Sequence, residues 1–305
     1  MLFFSKQLWL SINLNEGVLD CRMSSISPDR VNIGLVQMQM SEDRERNVDK
    51  AVRMLREARQ KGAEIVCLPE LFSSLYFPQD KVSEEEPVTI PGPITRTLSK
   101  SAKENNVILV GGSIYEKAAK KTYNTSVLFD QRGRILGKYR KVHLPQDPSF
   151  YEQNYFSRGS NFAVYNTKYC KIGLLICFDQ WYPEAARIEK LMGAQIIFYP
   201  TAIGWVKGID PAEGNWHEAW QSVQVGHAIS NSVVVVAVNR VGVEKNMQFW
   251  GGSFVCDQFG KILARADDKE QVIVTSCDLT LGRNVEEGWG FQRNRVPRSY
   301  SRLWK

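Results

Sequence analysis

From Val31 onward, apolar residues recur along this chain with two different spacings. Short runs rich in β-branched residues predict strands, whereas apolar residues three and four positions apart predict amphipathic helices. The helical spacing is clear in segment 44–61, which Gly62 ends. Further helices are predicted at 94–104, 183–192 and 216–231. Strands are predicted at 31–40, 63–68, 107–114, 125–130, 134–142, 162–165, 171–177, 195–199, 232–239, within 248–266, and at 271–278.

The order of these elements predicts an α/β fold with mixed sheets. Strands and helices alternate throughout, hairpins are interspersed, and several strands are apolar on both faces, so both faces should be covered. The segments 78–93, 145–160 and 203–214 are predicted loops. No repeat or linker interrupts the pattern, which favours one domain over 31–305. A C-terminal arm from about residue 283 mixes basic and apolar residues, and we expect it to pack against another surface, such as a second subunit.

Composition narrows the class of protein. The 305 residues carry a net charge of +6, which is poor evidence for nucleic-acid binding. The six cysteines are far apart without a Cys-x-x-Cys pair, which indicates free thiols in a reducing compartment and a cytoplasmic location. The three histidines lack metal-ligand spacing, so no metal site is expected. No apolar run from Val31 onward is long enough for a membrane span.

The first thirty residues differ from the rest of the chain. Segment 2–14 is apolar but interrupted by polar residues, and Met23 opens a Ser-rich stretch before the first predicted strand. We expect residues 1–30 to form an N-terminal extension that is disordered or lies upstream of a natural start at Met23.

The most informative stretch is 172–184. An apolar run predicted as a strand ends at Cys177, and Pro183 opens a predicted helix. A thiol at such an elbow would face the partial positive charge of a helix N-terminus, which lowers a thiol pKa and offers donors to an oxyanion. A free cysteine is more often simply a small buried hydrophobe. The segment alone leaves both interpretations open.

Two other strand ends carry charged residues. Glu70 follows a buried strand within Leu-Pro-Glu-Leu-Phe, where burial could make it a base near neutral pH. The segment 138–145 carries several basic residues, and strand alternation predicts that one points inward while its neighbour meets solvent. A base and a fixed cation are what a thiol nucleophile requires, since little of a free thiol is ionised at pH 7. Glu70 could take the proton, while Lys141 and the backbone N–H of Phe178 could hold the oxyanion.

Taken together, these three motifs resemble the Glu–Lys–Cys triad of the nitrilase superfamily, with Glu70, Lys141 and Cys177 in the family's order. The resemblance extends from about Val31 to Tyr300. It implies a four-layer αββα sandwich, a homodimer or larger homo-oligomer, a small amide-like substrate, and no metal or organic cofactor. Glu152 matches a second glutamate of the family that orients the lysine and the substrate nitrogen.

Within the superfamily, segments 179–187 and 198–204 are similar to a branch that hydrolyses N-carbamoylputrescine to putrescine, ammonia and carbon dioxide. The cationic tail of that substrate requires a carboxylate or an aromatic face. Gln146 and the stretch 205–207 depart from the branch, which leaves room for another carbamoyl amine or amino acid, an ω-amide or an aliphatic amide. The candidate substrate-binding residues are Tyr76, Asp147, Phe178, Trp181 and Thr201, with Trp205 as a further candidate.

Three other classes compete with this interpretation. A non-catalytic member of the fold would lack one of the four polar residues, and all four are present. A nucleotide-binding protein would need more than Gly111-Gly112, because no Gly-x-Gly-x-x-Gly opens a helix. A papain-like protease is disfavoured because neither His143 nor His227 lies in a recognisable partner segment.

Overall fold

The structure is a computed structural model that describes residues 28–304, so the expectations for segment 1–27, including a start at Met23, lie outside the described residues. Five α-helices are present in the described part: α1 (Arg44–Gln60), α2 (Pro93–Asn105), α3 (Pro183–Leu191), α4 (Trp216–Asn231) and α5 (Leu281–Trp289). None of them is long and apolar enough to cross a membrane. Short 3₁₀ helices occur at Phe77–Gln79, Glu152–Asn154, Cys177–Trp181 and Pro297–Trp304.

Two large sheets and one small sheet contain the strands. The first has the order β16 (Gln271–Asp278), β1 (Arg30–Gln37), β2 (Ile65–Cys67), β3 (Ile108–Val110), β5 (Lys121–Phe129) and β4 (Ile114–Ala118), and β6 (Ile135–Arg140) also pairs with β5. The second has the order β15 (Ile262–Arg265), β14 (Phe254–Cys256), β11 (Val234–Asn239), β9 (Ile196–Thr201), β8 (Lys171–Leu174) and β7 (Val164–Asn166). The small sheet joins β10 (Gly204–Val206), β13 (Met247–Trp250) and β12 (Val241–Glu244).

Strand alternation divides the core into layers. In β1, Ile33 and Leu35 face the second sheet, whereas Val36 faces the helix layer with Leu55 of α1. On the other side, Ala186 of α3 and Trp220 of α4 pack in the same core as the second sheet. The order of layers is therefore helix, sheet, sheet, helix, and the predicted four-layer sandwich is confirmed.

Several predicted elements have different bounds in the structure. The predicted strand 107–114 is two strands, β3 and β4, which run in the same direction along β5 and are separated by an irregular segment at Gly111-Gly112. The predicted loop 203–214 contains β10, and segment 248–266 contains three strands. Sequence periodicity did not predict β12 or α5. These short elements are defined by pairing with distant segments or by packing, which local patterns do not report.

The turn after β3 bears directly on the segment that carries Glu70. Gly112 has φ +60°, and a Cβ at this position would lie 2.2 Å from the carbonyl oxygen of Pro69. The next residue, Ser113, donates its N–H to that same carbonyl at 3.3 Å, and its hydroxyl accepts from the Leu71 N–H at 2.9 Å. The turn at Gly112 therefore holds the backbone of residues 69–71 in place.

We predict that Gly112→Ala destabilises the protein by about 2–4 kcal/mol and lowers activity, because it combines a left-handed backbone with a clash against Pro69. Gly62→Ala is the matched control. Gly62 also has positive φ, but its nearest neighbouring atom lies at 4.0 Å, so it should lose only about 1 kcal/mol. Thermal denaturation and a steady-state assay measure both effects. Equal losses in the two variants would contradict the role given to the Gly112 turn.

Candidate active site

Cys177 lies in a tight turn rather than at the end of a strand. The strand β8 ends at Leu174, and Cys177 opens a 3₁₀ turn with φ +43°, a strained conformation for a residue other than glycine. The helix α3 begins only at Pro183. The prediction that the strand reaches Cys177 is therefore wrong, because β8 ends three residues earlier, whereas the predicted helix start at Pro183 is confirmed.

The carboxylate of Asp179 holds this turn in place. Its Oδ2 accepts from the Ile176 N–H at 2.9 Å and from the Tyr139 hydroxyl at 2.7 Å. Its Oδ1 accepts from the His143 N–H at 3.0 Å and lies 2.7 Å from His143 Nδ1. Since His143 follows Lys141 by two residues, Asp179 ties the thiol-bearing turn of the second sheet to the lysine-bearing segment of the first.

Glu70 is fully buried just beyond the end of β2. Its Oε1 accepts from Asn124 Nδ2 at 2.8 Å and from Lys141 Nζ at 2.8 Å. Its Oε2 has no hydrogen-bond partner in the described residues. One oxygen of the carboxylate is thus fixed by two donors, and the other is available to accept a proton.

The chain around Glu70 is held by a second buried charge. Arg240 donates to the carbonyl oxygens of Glu70 at 2.7 Å and Leu71 at 2.9 Å, and Leu71 has φ +45°. Glu244 balances the guanidinium at 2.8 Å and accepts from the Tyr76 N–H. The Arg240–Glu244 ion pair stabilises the strained turn that follows Glu70.

Lys141 lies between two buried carboxylates. Its Nζ donates to Glu70 Oε1 at 2.8 Å and to Glu152 Oε1 at 2.7 Å, and all three side chains have no exposed surface. Burial by itself would lower the pKa of Lys141, but the two carboxylates reverse that effect and raise it above the ordinary value. The residue is a permanent cation.

The prediction that one basic residue of this segment points inward is confirmed. Lys138 and Arg140 share the opposite face of the strand from Lys141 and both pair with the buried carboxylate of Glu116. Those donors, against the cost of burial, lower the pKa of Glu116 to about 2.

Glu152 completes the buried group. Its Oε1 accepts from the Tyr76 hydroxyl at 2.9 Å as well as from Lys141. Burial raises the pKa of Glu152 to about 7, with Lys141 opposing the shift and Glu70 adding to it. The carboxyl of Glu152 therefore titrates near neutral pH.

The pKa of the Cys177 thiol is shifted in the opposite direction from the one predicted. Burial raises the pKa of Cys177 well above its ordinary value, Glu70 raises it further, and Lys141 acts in the other direction. The prediction that a helix N-terminus lowers this pKa is wrong, because α3 begins six residues later. Cys177 is a neutral thiol at pH 7 in the free protein, so its reaction as a nucleophile requires a base.

A cavity of about 560 Å³ opens beside Cys177. Of the predicted substrate-binding residues, Asp147, Phe178 and Trp181 line it. Tyr76 and Thr201 do not: the Tyr76 hydroxyl serves Glu152, and the Thr201 hydroxyl donates to the Tyr199 carbonyl at 2.9 Å. Both hydroxyls thus donate within the protein, and a direct role of these two residues in substrate binding stays a prediction.

Two further predictions about the cavity loops change with the structure. Trp205 lies in β10 and does not line the cavity. It stacks on Trp216, which does. Gln146 faces away and binds the side chain of Asn154 at 2.9 Å, so it shapes the loop rather than the cavity.

Sequence reasoning missed several residues that the fold brings to the site. Asn124, Asp179 and Arg240 position Glu70 and Cys177 through the contacts above, and Glu213 lines the cavity from a distant loop. A charged residue directly after the apolar strand β11 was a usable signal for Arg240, whereas Asn124 stands among other polar residues of β5 and had no such signal. Nothing in the sequence around Glu213 marks it, because its place depends on how the loop before α4 folds back.

In the described part of the chain, no cluster of three or more His, Cys, Asp or Glu side chains is arranged to hold a metal ion. The arrangement of Glu70, Lys141, Cys177 and Glu152 can support acyl transfer without one. A thiol, a carboxylate with a free oxygen and a fixed ammonium are the groups that nucleophilic attack on a polarised carbonyl requires.

The chain matches known proteins over most of its length. The model of the carbon-nitrogen hydrolase family matches residues 32–287. An N-carbamoylputrescine amidase of Solanum lycopersicum is 39% identical over 286 residues, covering 90% of this chain and 94% of that protein. A citrullinase of Francisella tularensis is 35% identical over 282 residues, covering 90% and 98%. A crystal structure of a carbon-nitrogen hydrolase from Helicobacter pylori superimposes with a TM-score of 0.86 at 35% identity, covering 91% and 99%.

The pKa of Glu152 leads to a stability prediction. Because it lies near 7 in the folded protein against an ordinary 4.5, the folded state binds more protons than the unfolded chain between those values. This group therefore contributes stability at low pH that is lost as pH rises through 7. We predict that Glu152→Gln flattens the dependence of unfolding free energy on pH between 5 and 7, while lowering kcat.

Urea denaturation of both proteins at several pH values measures this effect. Glu218→Gln, on the exposed face of α4, is the matched control and should leave the pH dependence unchanged. A Glu152→Gln variant that keeps the wild-type pH dependence would show that this carboxyl is not the titrating group.

Proposed function

Because the chain belongs to the carbon-nitrogen hydrolase family of the nitrilase superfamily, and is therefore an amidohydrolase, we propose that it hydrolyses N-carbamoylputrescine to putrescine, ammonia and carbon dioxide. The reaction would pass through a carbamoyl-thioester on Cys177. Relatives that carry this activity by name are 38–40% identical to the chain over nearly its whole length.

The observation that carries the choice of substrate is the charge of the cavity. Its lining contains the carboxylates of Asp147, Glu152 and Glu213, and none of the described residues that line it is Lys, Arg or His. An ammonium tail is attracted by such a lining, whereas the carboxylate of an N-carbamoyl amino acid or of an ω-amide would be repelled. The apolar walls suit the four-carbon chain between the two ends of the substrate.

In the proposed first step, the free Oε2 of Glu70 takes the proton of the Cys177 thiol as sulfur attacks the ureido carbon. The carbonyl electrons move onto oxygen, where the Lys141 ammonium and the Phe178 N–H hold the developing charge. Each such donor contributes about 3–4 kcal/mol to the transition state. The high thiol pKa in the free enzyme fits this order, since the thiol loses its proton only as the bond forms.

Collapse of this intermediate breaks the bond to the terminal nitrogen, which leaves as ammonia with the proton that Glu70 carries. A water molecule then gives its proton to Glu70 and attacks the thioester carbon. The carbon–sulfur bond breaks, and Cys177 regains its proton from Glu70. The carbamic acid that is released loses carbon dioxide to give putrescine. Glu152 and Asn124 hold Lys141 and Glu70 in place throughout.

We further propose that the chain forms a homodimer or larger homo-oligomer in the cytoplasm. Ile188, Leu191 and Met192 form an exposed apolar group at the end of α3, with Leu191 51% exposed. Apolar groups of this kind on a surface helix support a subunit contact. The free thiols of the described chain, Cys67, Cys170, Cys177, Cys256 and Cys277, support a reducing compartment.

The substrate is tested by ammonia release from four compounds: N-carbamoylputrescine, citrulline, N-carbamoyl-β-alanine and α-ketoglutaramate, the amide that ω-amidases cleave. We expect the first to have the highest kcat/KM by at least about tenfold, the worth of one well-placed ion pair. Cys177→Ala should abolish turnover without changing the melting temperature, whereas Cys170→Ala, another buried cysteine outside the site, should retain activity. Better turnover of a carboxylate-tailed compound would overturn the assignment.

The oligomer is tested by light scattering coupled to size exclusion. Wild type should run as a dimer or larger, and Leu191→Glu should shift it to smaller species because a buried charge is costly at an apolar contact. Val82→Glu is the control, since Val82 is exposed in a loop away from α3. A monomeric wild type would exclude the proposal.

A further inference from the structure

We propose that Glu213, held by Trp216, is the residue that binds the ammonium tail of the substrate and thereby selects cationic carbamoyl amines. This inference rests on the proposed function. It places the ammonium tail beside Glu213, in the loop between β10 and α4. The sequence analysis named no acidic residue of this loop as a candidate.

The position of Glu213 is defined by the fold rather than by nearby sequence. The loop after β10 leaves the small sheet and returns to the first residue of α4, Trp216. Along this return, Ile209, Glu213 and Trp216 line the same cavity as Cys177. The carboxylate thus lies on the wall of the space that the tail of a Cys177-bound substrate would occupy.

The carboxylate of Glu213 is held in one orientation before any ligand binds. The indole Nε1 of Trp216 donates to Glu213 Oε1, which leaves Oε2 for a second donor. Trp216 is itself fixed, because it stacks on Trp205 with ring centroids 6.0 Å apart, and Trp205 packs on the buried Trp250 at 5.0 Å. A braced carboxylate loses little conformational entropy when it binds a cation.

The same tryptophan offers a second attraction. An ammonium drawn to Glu213 would lie beside the ring of Trp216, which also lines the cavity, and the face of an indole attracts cations. Asp147 is the other acidic residue at the mouth, but its side chain accepts no hydrogen bond within the described residues. The preorganised group is therefore Glu213, and Asp147 adds only a general negative potential.

The loop supplies its own matched control. Asp210 carries the same charge three residues earlier, is exposed, and is not among the residues that line the cavity. A general effect of negative charge on substrate attraction would appear equally in Asp210→Asn and Glu213→Gln. A specific contact would appear only in the second variant.

The experiment compares N-carbamoylputrescine with N-butylurea, which has the same reacting group and a similar chain but no ammonium. For wild type, Glu213→Gln and Asp210→Asn, the ratio of kcat/KM for the two compounds is measured. We expect Glu213→Gln to lower this ratio by about 10- to 100-fold, the value of a hydrogen bond between charged groups, mainly through KM for N-carbamoylputrescine. Asp210→Asn should leave the ratio within about twofold of wild type, because surface charges away from a contact are screened.

The outcomes separate the two proposals. If wild type does not hydrolyse N-carbamoylputrescine, the proposed function fails and this inference falls with it. If wild type hydrolyses it but the ratio is unchanged in Glu213→Gln, or changes equally in Asp210→Asn, only the assignment of Glu213 is overturned. A loss on both compounds alike in Glu213→Gln would likewise overturn it, since it would indicate a structural role.

Discussion

The site depends on one buried ammonium shared by two buried carboxylates. Lys141 donates to Glu70 and Glu152, and none of the three has exposed surface. Removing three charges from water is costly, and the contacts among them offset that cost only while all remain in place. Burial raises the pKa values of Cys177 and Glu152, and the nearby carboxylate of Glu70 raises both further.

Side chains from several other elements hold this buried group and its adjacent turns in place. Asn124 and Tyr76 donate to the carboxylates, so each has fixed partners on one oxygen. Arg240 stabilises the turn that follows Glu70, and Asp179 does the same for the turn that carries Cys177. Both turns contain a non-glycine residue with positive φ, at Leu71 and Cys177. Strain of this kind persists only where surrounding contacts determine the conformation, as buried ion pairs and hydrogen bonds do here.

The candidate reacting groups and the residues that we propose select the substrate lie in different parts of the molecule. The reacting groups follow strands of the two central sheets, whose positions are fixed by the core between them. The residues that we propose surround the tail of the substrate lie in segments 147–150 and 203–216. Loops can change without disturbing the core, so the same reacting group can serve different substrates in related chains. In this chain the loops present acidic and aromatic groups to the cavity, and none of the described residues that line it is basic.

The division between core and loops explains which predictions succeeded. The helix α4 and the strand β16 have the predicted bounds, because long periodic patterns record which face of an element is buried. The triad motifs were identified one by one because polar residues at the ends of apolar strands are conspicuous. Strands that are apolar on both faces predicted covered sheets, and the resemblance to the nitrilase superfamily implied the four layers.

Tertiary structure alone decided the rest, because those features depend on segments that meet only after folding. The thiol pKa is set by burial and by Glu70, not by the helix that follows it in sequence. Asn124 and Arg240 matter through partners far along the chain, and Thr201 donates its hydroxyl to a carbonyl of its own strand. Glu213 reaches the cavity by the path of a loop. Sequence by itself predicted most of the elements and the candidate reacting groups, and its resemblance to a family implied the layers. Distances, protonation and the chemistry of the cavity wall required the fold, because electrostatic interactions depend on position in space and on burial.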